Sequence, residues 1–128
     1  MINQSYTLLR NALLSNVVTT PALVDEIDSE AVTAPTHSMR VNVAILNLEG
    51  TSASLKVAVL GSYDGVVWQV KGLSGATVTV NAASDAPPVT EASSAVVDVD
   101  YPFIRLRAAV SGTGATVRFD SELVFSDQ

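Results

Sequence analysis

The sequence contains no cysteine, only one histidine, and few aromatic residues, which make up 5% of the chain. Without cysteine the protein has no disulfide framework and no Cys-based zinc or redox chemistry, although no cellular compartment follows from this. A zinc site made from side chains needs three or four ligands, and a single histidine leaves only carboxylates to supply the rest. We therefore expect no metal and no cofactor.

Positive charge and long apolar runs are also scarce. The chain has 7 Lys and Arg residues against 13 Asp and Glu residues, which gives a net charge of -6. Nucleic acids and anionic membranes favour an excess of basic residues, so we expect neither as the main partner. The apolar runs are far shorter than the roughly 20 residues of a membrane helix, and the N-terminus does not resemble a signal peptide. These features predict a soluble protein.

Small aliphatic residues account for most of the apolar content. Hydrophobic residues make up 48% of the 128 residues, and valine in particular favours the half-buried surface of a sheet. A chain of this length buries about two thirds of its unfolded surface as one domain. We expect a single all-β domain, residues 1–128, with residues 1–36 as a less regular N-terminal segment.

The clearest element is residues 55–70, LKVAVLGSYDGVVWQV, because two alternating strands flank an Asp64-Gly65 pair. This is the strongest short-range signal for a hairpin. A two-residue loop places Gly61 opposite Trp68, where the glycine leaves room for the indole; a four-residue loop keeps the same faces together, and a three-residue loop does not. We favour the two-residue loop, with Val59 opposite Val70 and with these inward-facing residues: Leu55, Val57, Val59, Gly61, Val66, Trp68 and Val70.

Residues 104–125 are predicted to form a second hairpin, which turns at residues 111–114, SGTG. No helix follows this glycine-rich turn, so it is not a phosphate cradle. The register places Arg105 opposite Asp120 as an outward pair of opposite charges. It also places Ala108 opposite Val117 and Leu106 opposite Phe119, and the inward-facing residues are Ile104, Leu106, Ala108, Val110, Val117, Phe119, Leu123 and Phe125.

Three other segments have weaker patterns. Residues 39–48 have apolar side chains on both faces, which predicts that the N-terminal segment or another subunit covers the strand. Residues 2–18 suit two short strands with a break at Ser15-Asn16 better than a helix. Residues 24–30 are acidic but lack the spacing of an EF-hand, so we expect a solvated strand edge or loop rather than a Ca²⁺ site.

Residues 72–94 are predicted to be the longest loop, with one short strand at 77–80. Pro87-Pro88 forbids a central strand there. Such a loop either contacts a binding partner or only connects strands without a binding role. The segments together give about eight strands, which predicts a two-layer antiparallel β-sandwich of jelly-roll or immunoglobulin-like type, or a flattened barrel.

The sequence shows no clear catalytic arrangement. The one histidine, His37, precedes a strand and has no G-x-S-x-G elbow nearby. Glycosidases need two carboxylates, for which Asp98, Asp100 and Asp120 are of the right type. However, Asp98 and Asp100 lie two residues apart on the polar side of a strand, as on a solvent-facing surface. We predict that the protein is not an enzyme.

Tyr63 and Asp64 at the tip of the first hairpin are the candidates for a binding site. An exposed aromatic ring there would stack on a sugar, and Tyr6 and Tyr101 are further candidates because Trp68 is expected to face inward. Ordinary turn residues would give the same pattern, and this is the interpretation that we favour.

Three motifs carry a resemblance to a known class of protein. VAVLGSYDGVVW resembles a hairpin that is common in small β-sandwich domains of tailed-bacteriophage virion proteins. YPFIRLRAAVSGTGATVRF resembles the closing hairpin of these domains, and TLLRNALLSNVV is similar to their opening strand. The resemblance covers most of the chain.

This resemblance implies a non-enzymatic structural subunit of a virion. The version it favours is a capsid decoration, cement or auxiliary head protein, followed by a tail or fibre component. It implies the major capsid protein or other virion proteins as partners, a homo-oligomer or multicopy assembly, and a location on the capsid surface. Similar hairpins also occur in carbohydrate-binding and adhesion modules, so that alternative stays open.

Overall fold

A computed structural model of the protein describes residues 3–17, 24–69, 77–81, 91–94 and 96–126. The described residues form eight β-strands, and none of them belongs to a helix that would cross a membrane. In chain order the strands are β1 (Asn3–Ser15), β2 (Glu26–Asp28), β3 (Val32–Thr33), β4 (Ser38–Ser62), β5 (Thr77–Asn81), β6 (Glu91–Ser93), β7 (Val97–Asp98) and β8 (Phe103–Ser126).

Two long strands, β4 and β8, form a continuous antiparallel ribbon. Their pairing runs from Ser38 opposite Ser126 to Ser62 opposite Phe103, and its register is irregular around residues 49–54. The shorter strands pair with one or the other of these two. The ribbon is therefore the framework of the fold.

The ribbon bends at its irregular middle. Gly50 and Gly112 lie there with φ angles of +126° and +118°, which side chains disfavour. A Cβ atom at Gly112 would lie 2.8 Å from the carbonyl oxygen of Ser52, so glycine permits the close approach of the two strands. Inward side chains from both sides of the bend belong to one buried cluster. The ribbon thus folds over into two layers with the core between them.

The first layer contains β1, β6 and β7 with residues 38–49 and 116–126 of the ribbon. The second contains β2, β3 and β5 with residues 54–62 and 103–111. No pairing among the described strands closes the sheet. The predicted two-layer antiparallel sandwich is confirmed, and the flattened barrel is not formed. Its most buried residues include Val41, Leu55, Val57, Val59, Ile104, Leu106, Phe119, Leu123 and Phe125.

The predicted closing hairpin is wrong, although its alternation is right. All eight side chains predicted to face inward are buried, but β8 runs on as one strand and residues 111–114 lie at the bend. Arg105 lies opposite Leu60 of β4 rather than Asp120. The predicted pairs of Ala108 with Val117 and of Leu106 with Phe119 are wrong for the same reason. A glycine-rich segment suits a turn or a bend, and the distant partner β4 decides between them.

The first predicted hairpin is present only in part. The chain returns after β4 at Gln69, which exchanges two backbone hydrogen bonds of 2.8 Å with Gly61. Gly61 therefore faces Gln69, not Trp68, and the two-residue loop is wrong. Val66 is 77% exposed instead of inward, while Leu55, Val57 and Val59 are buried as predicted. The predicted partner Val70 lies outside the described residues.

Gly61 makes room for a different aromatic ring from the one predicted. A Cβ atom on this residue would overlap the ring of Tyr101, whose side chain is buried. Trp68 is instead half-buried. Its ring packs against the guanidinium of Arg105, with 4.3 Å between the Arg105 Cζ atom and the centroid of the Trp68 ring. The register of the returning strand thus changes which ring packs on the glycine.

A β-bulge explains the apolar residues on both faces of residues 39–48. The register shifts between Ile45 and Asn47, so Leu46 has no cross-strand partner in the ribbon. Leu48 therefore joins Ile45 on the buried inner face, and Leu46 is 55% exposed. An extra residue in one strand reverses the faces beyond it. No covering segment or second subunit is needed to bury Leu48.

The described parts of the N-terminal and acidic segments agree with their predictions. β1 is a strand that ends at Ser15, the predicted break, and it contains two register shifts. Most of the second predicted strand lies outside the described residues. β2 pairs along β8, which confirms a strand edge within the acidic segment 24–30.

The predicted loop 72–94 contains more strand than expected. β5 confirms the strand at 77–80, but β6 (Glu91–Ser93) pairs with β4 inside the region expected to be irregular. Pro87-Pro88 lies outside the described residues. Local composition predicts turns well but does not reveal a strand of three residues that a neighbouring strand stabilises.

Candidate functional site

Tyr63 and Asp64, the two binding candidates, lie in the loop that follows β4. The hydroxyl of Ser62 accepts hydrogen bonds from the amides of Asp64 (3.3 Å) and Gly65 (2.8 Å). The same hydroxyl donates to Oδ1 of Asp64 at 3.1 Å. That oxygen also accepts the amides of Val66 (2.8 Å) and Val67 (3.0 Å). Two neighbouring side chains thus hold the loop backbone in a fixed shape.

The hydrogen bonds to the Asp64 carboxylate also change its pKa. The amides of Val67 and Val66, followed by the Ser62 hydroxyl, stabilise the carboxylate and lower the pKa of Asp64. Oδ1 is already used by these donors. The structure therefore places Asp64 as a residue that shapes the loop, which is the interpretation favoured from the sequence.

The loop presents three exposed apolar side chains, here called the apolar tip: Tyr63, Val66 and Val67. They are 64%, 77% and 59% exposed. The ring of Tyr63 packs on Tyr101, with 4.7 Å between centroids. Because Tyr101 is buried, this contact packs the apolar tip against the edge of the core. The prediction that Tyr63 lies at the exposed tip is correct, whereas the prediction that the Val66 side chain faces inward is wrong.

The outer face of the second layer contains a cluster of ion pairs. Asp28 of β2 accepts hydrogen bonds from Nε and Nη2 of Arg107 at 2.7 and 3.1 Å, and one of its oxygens lies 3.2 Å from Nη2 of Arg105. The hydrogen bond from Arg107 lowers the pKa of Asp28. The predicted pair of Arg105 with Asp120 is therefore replaced by pairs with the acidic segment.

A groove of about 520 Å³ lies on the outer face of the first layer. We call it the polar groove, and six of the residues that line it are Arg10, Arg40, Asn42, Glu91, Asp120 and Glu122. Of the three predicted carboxylates it contains only Asp120, and both Asp98 and Asp100 are exposed elsewhere, as expected. The polar alternation of β4 and β8 indicated an outer face, but nothing local indicated that β6 and β1 would complete a groove.

His37 is exposed and lines a second cavity of about 420 Å³. Among the described residues that line this cavity, Asp100 is the only one with a carboxylate. No serine lies among these lining residues. Within the described ranges, no group of three His, Asp or Glu residues is close enough to hold a metal ion.

Comparisons with known proteins find likeness of structure only. No protein-family model and no curated protein matches the chain. A chain of the T13 IBDV viral particle is similar with 15% identity and a TM-score of 0.50, over 95% of this chain and 30% of that one. A family 35 carbohydrate binding module from Clostridium thermocellum has 15% identity and a TM-score of 0.47, over 98% and 99%. A Desmodium yellow mottle tymovirus chain has 7% identity and a TM-score of 0.32, over 98% and 87%.

The likeness to the IBDV chain concerns the fold. This protein spans less than a third of that chain, and the shared feature is the β-sandwich itself. Folds of this kind serve many unrelated functions. The chain is therefore an all-β sandwich of a kind that also occurs in a viral particle.

Proposed function

We propose that this protein is a non-enzymatic structural protein of a virion that acts through protein-protein contacts. Within that class we propose a capsid decoration, cement or auxiliary head protein, with a tail or fibre component as the next choice. The observation that carries the proposal is the apolar tip. Exposed apolar side chains that cluster on one loop are typical of interaction surfaces, and the fold likeness to a viral-particle chain is consistent with it.

The shape of the loop supports a contact role for the tip. Ser62 and Asp64 fix the backbone between them, so docking the tip would order little that is not already ordered. A preorganised contact loses less conformational entropy on binding than a flexible one. The tip is small, and its contact energy is correspondingly modest.

Many copies would compensate for a modest contact. A subunit that docks repeatedly on a shell, or on neighbouring copies of itself, gains stability from the number of contacts rather than the strength of one. We propose the major capsid protein or other virion proteins as partners, and the capsid surface as the location. The net charge of -6 supports a protein partner over nucleic acid or an anionic membrane.

The non-enzymatic role is part of the proposal. Asp98 and Asp100 are exposed and do not line the polar groove with Asp120. His37 has one carboxylate near it in its cavity. Paired acid-base catalysis requires two groups on opposite sides of a substrate, and the candidates from the sequence are not brought together in that way.

The test is to quantify this protein in virus particles isolated from the source of the sequence, by mass spectrometry and electron microscopy. Val67→Asp places a charge on the tip, and we expect it to lower the copy number per particle at least tenfold. Val96→Asp is the matched control, because Val96 is 60% exposed and Val67 59%. A protein that is a monodisperse monomer in gel filtration and absent from particles would overturn the proposal, as would equal loss with both variants.

A carbohydrate-binding or adhesion module is the second candidate, and the exposure of Tyr63 favours it. A ring that is 64% exposed can stack on a sugar. Binding on a glycan array that is lost in Tyr63→Ala would support this function. Binding that is unchanged in Tyr63→Ala, or no binding at all, would remove Tyr63 as a sugar site.

A further inference from the structure

The polar groove contains one row of outward-facing side chains that crosses four strands. Thr7 of β1 lies opposite Glu122 of β8, Glu122 lies opposite Asn42 of β4, and Asn42 lies opposite Ser93 of β6. Neighbouring strands are about 4.8 Å apart. The row therefore presents a polar group at regular intervals across the face of the layer.

Hydrogen bonds within the row orient its side chains. The hydroxyl of Ser93 donates to Oδ1 of Asn42 at 2.7 Å, and Nδ2 of Asn42 donates to Oε1 of Glu122 at 3.0 Å. The second carboxylate oxygen of Glu122 accepts no hydrogen bond from the described residues. Glu122 thus lines the groove with an acceptor oxygen that is still available.

Charged groups of both signs surround the row. The side chains of Arg10, Arg40 and Glu91 form no ion pair or hydrogen bond with other described residues, in contrast to those of Arg105 and Arg107 on the second layer. Their donors and acceptors remain available to a ligand.

The residue at the bottom of the groove, Ala44, has a small side chain. Ala44 lies opposite Asp120 on one side and Glu91 on the other. The short side chain of Ala44 therefore leaves a depression in the face between the longer side chains of Asp120 and Glu91. No aromatic side chain is among the described residues that line the groove.

We propose that the polar groove binds a neutral oligosaccharide, whose hydroxyls would contact Arg10, Arg40, Asn42 and Glu122. Sugar hydroxyls both donate and accept hydrogen bonds, which matches a surface that offers both. Three carboxylates disfavour an anionic ligand, and two unpaired arginines disfavour a cation. An extended peptide pairs with a strand edge, whereas this groove lies on the face of a layer.

The absence of a stacking aromatic ring makes each site weak. A weak site becomes effective when many copies bind one polymer at once. The gain from many copies rests on the proposed virion role, whereas binding at the groove itself does not.

The test is an NMR titration of the protein with neutral hexasaccharides of glucose, mannose, galactose and xylose, with a sulfated hexasaccharide as the anionic comparison. We expect one neutral sugar to shift the amide signals around Asn42 and Glu122. Glu122→Gln keeps the shape of the side chain and Arg40→Ala removes a donor; each is expected to weaken binding about tenfold or more. Lys56→Ala on the second layer and Tyr63→Ala at the tip are controls that retain binding.

Several outcomes would overturn this inference. These are shifts centred on Tyr63, preference for the sulfated sugar, and no shift with any neutral sugar at millimolar concentration. Protection of the groove amides by a partner protein in assembled particles would also overturn it, because the face would then be an interface. The particle copy number of Glu122→Gln separates the two proposals: unchanged incorporation with lost sugar binding supports the groove and leaves the assembly role intact.

Discussion

Asp28 is a single residue that joins an edge strand to the framework. Its carboxylate lies within 3.2 Å of Arg105 and accepts two hydrogen bonds from Arg107. Trp68 covers the other side of Arg105. The Asp28 side chain thereby holds β2 against β8 and neutralises part of the positive charge of Arg105 and Arg107.

The charge of Asp28 predicts a pH-dependent stability. Its folded pKa lies below the ordinary value of 3.8, so its contribution is fully present above that value and is lost as the pH falls through the folded pKa. We expect Asp28→Asn to be less stable than the natural chain at about pH 7, by up to about 1 kcal/mol because the pair is partly solvated. Urea unfolding at a series of pH values measures this difference.

The difference should shrink towards zero at acidic pH, where the natural carboxyl is also neutral. Asp98→Asn is the matched control, because Asp98 is exposed and forms no ion pair with the described residues. A difference for Asp28→Asn that stays constant from neutral to acidic pH would contradict the ion-pair explanation.

Gly61 gives a prediction about packing at a single residue. Its Cα lies against the ring of buried Tyr101, so Gly61→Ala forces that ring to move. Overpacking of this kind costs about 1–3 kcal/mol, measured as a lower midpoint of urea unfolding. In a Tyr101→Ala background the same substitution should cost much less. Equal costs in the two backgrounds would show that the clash is not the cause.

At the scale of elements, the bend in the β4-β8 ribbon decides the architecture. Two long strands that remained straight would form a single layer with both faces in water. The bend brings the inner faces of its two halves together, and the core forms between them. The outer face of the first layer stays exposed, and the polar groove lies on it.

Two glycines of the bend make a matched pair for a test. Gly112 has a φ angle of +118° and faces the backbone of Ser52, whereas Gly114 has a φ angle of +59° and open space around it. Asparagine tolerates the second conformation far better than the first. We expect Gly112→Asn to lower the free energy of unfolding by about 3 kcal/mol or more, and Gly114→Asn by about 1 kcal/mol. Similar losses at both positions would show that the bend does not depend on this contact.

At the scale of the whole molecule, nearly every pairing joins distant parts of the sequence. The ribbon places Ser38 opposite Ser126 and β1 pairs with the end of β8. Local pairing among the described residues is confined to the return after β4, where Gly61 forms a bridge with Gln69 and β5 pairs with residues 54–58. The first contacts to form must therefore close long loops.

This topology predicts slow folding, in milliseconds to seconds. Stopped-flow refolding by tryptophan fluorescence measures the rate, since Trp68 is the single tryptophan and is half-buried. A double-jump experiment separates the main phase from slow proline isomerisation. Refolding complete in microseconds would contradict a pathway limited by distant strand pairing.

The sequence alone determined which side chains of residues 55–59 and 104–125 face inward, but not those of Leu48, Val66 and Trp68. Alternation with a period of two is a local property, and it identified Leu55, Leu106, Phe119 and Phe125 as core residues. It also determined the all-β class and the exposed position of Tyr63. These features depend on a residue and its near neighbours only.

Tertiary structure alone decided which strands pair and therefore which polar residues meet. The glycine-rich segment 111–114 is locally compatible with a turn or a bend, and the bulge at Leu46 is visible only from the partner strand. For this reason Arg105 meets Asp28 instead of Asp120, and Asn42 meets Glu122 and Ser93. Strand register is fixed by burial against distant partners, so the groove that these residues form has no local signature in the sequence.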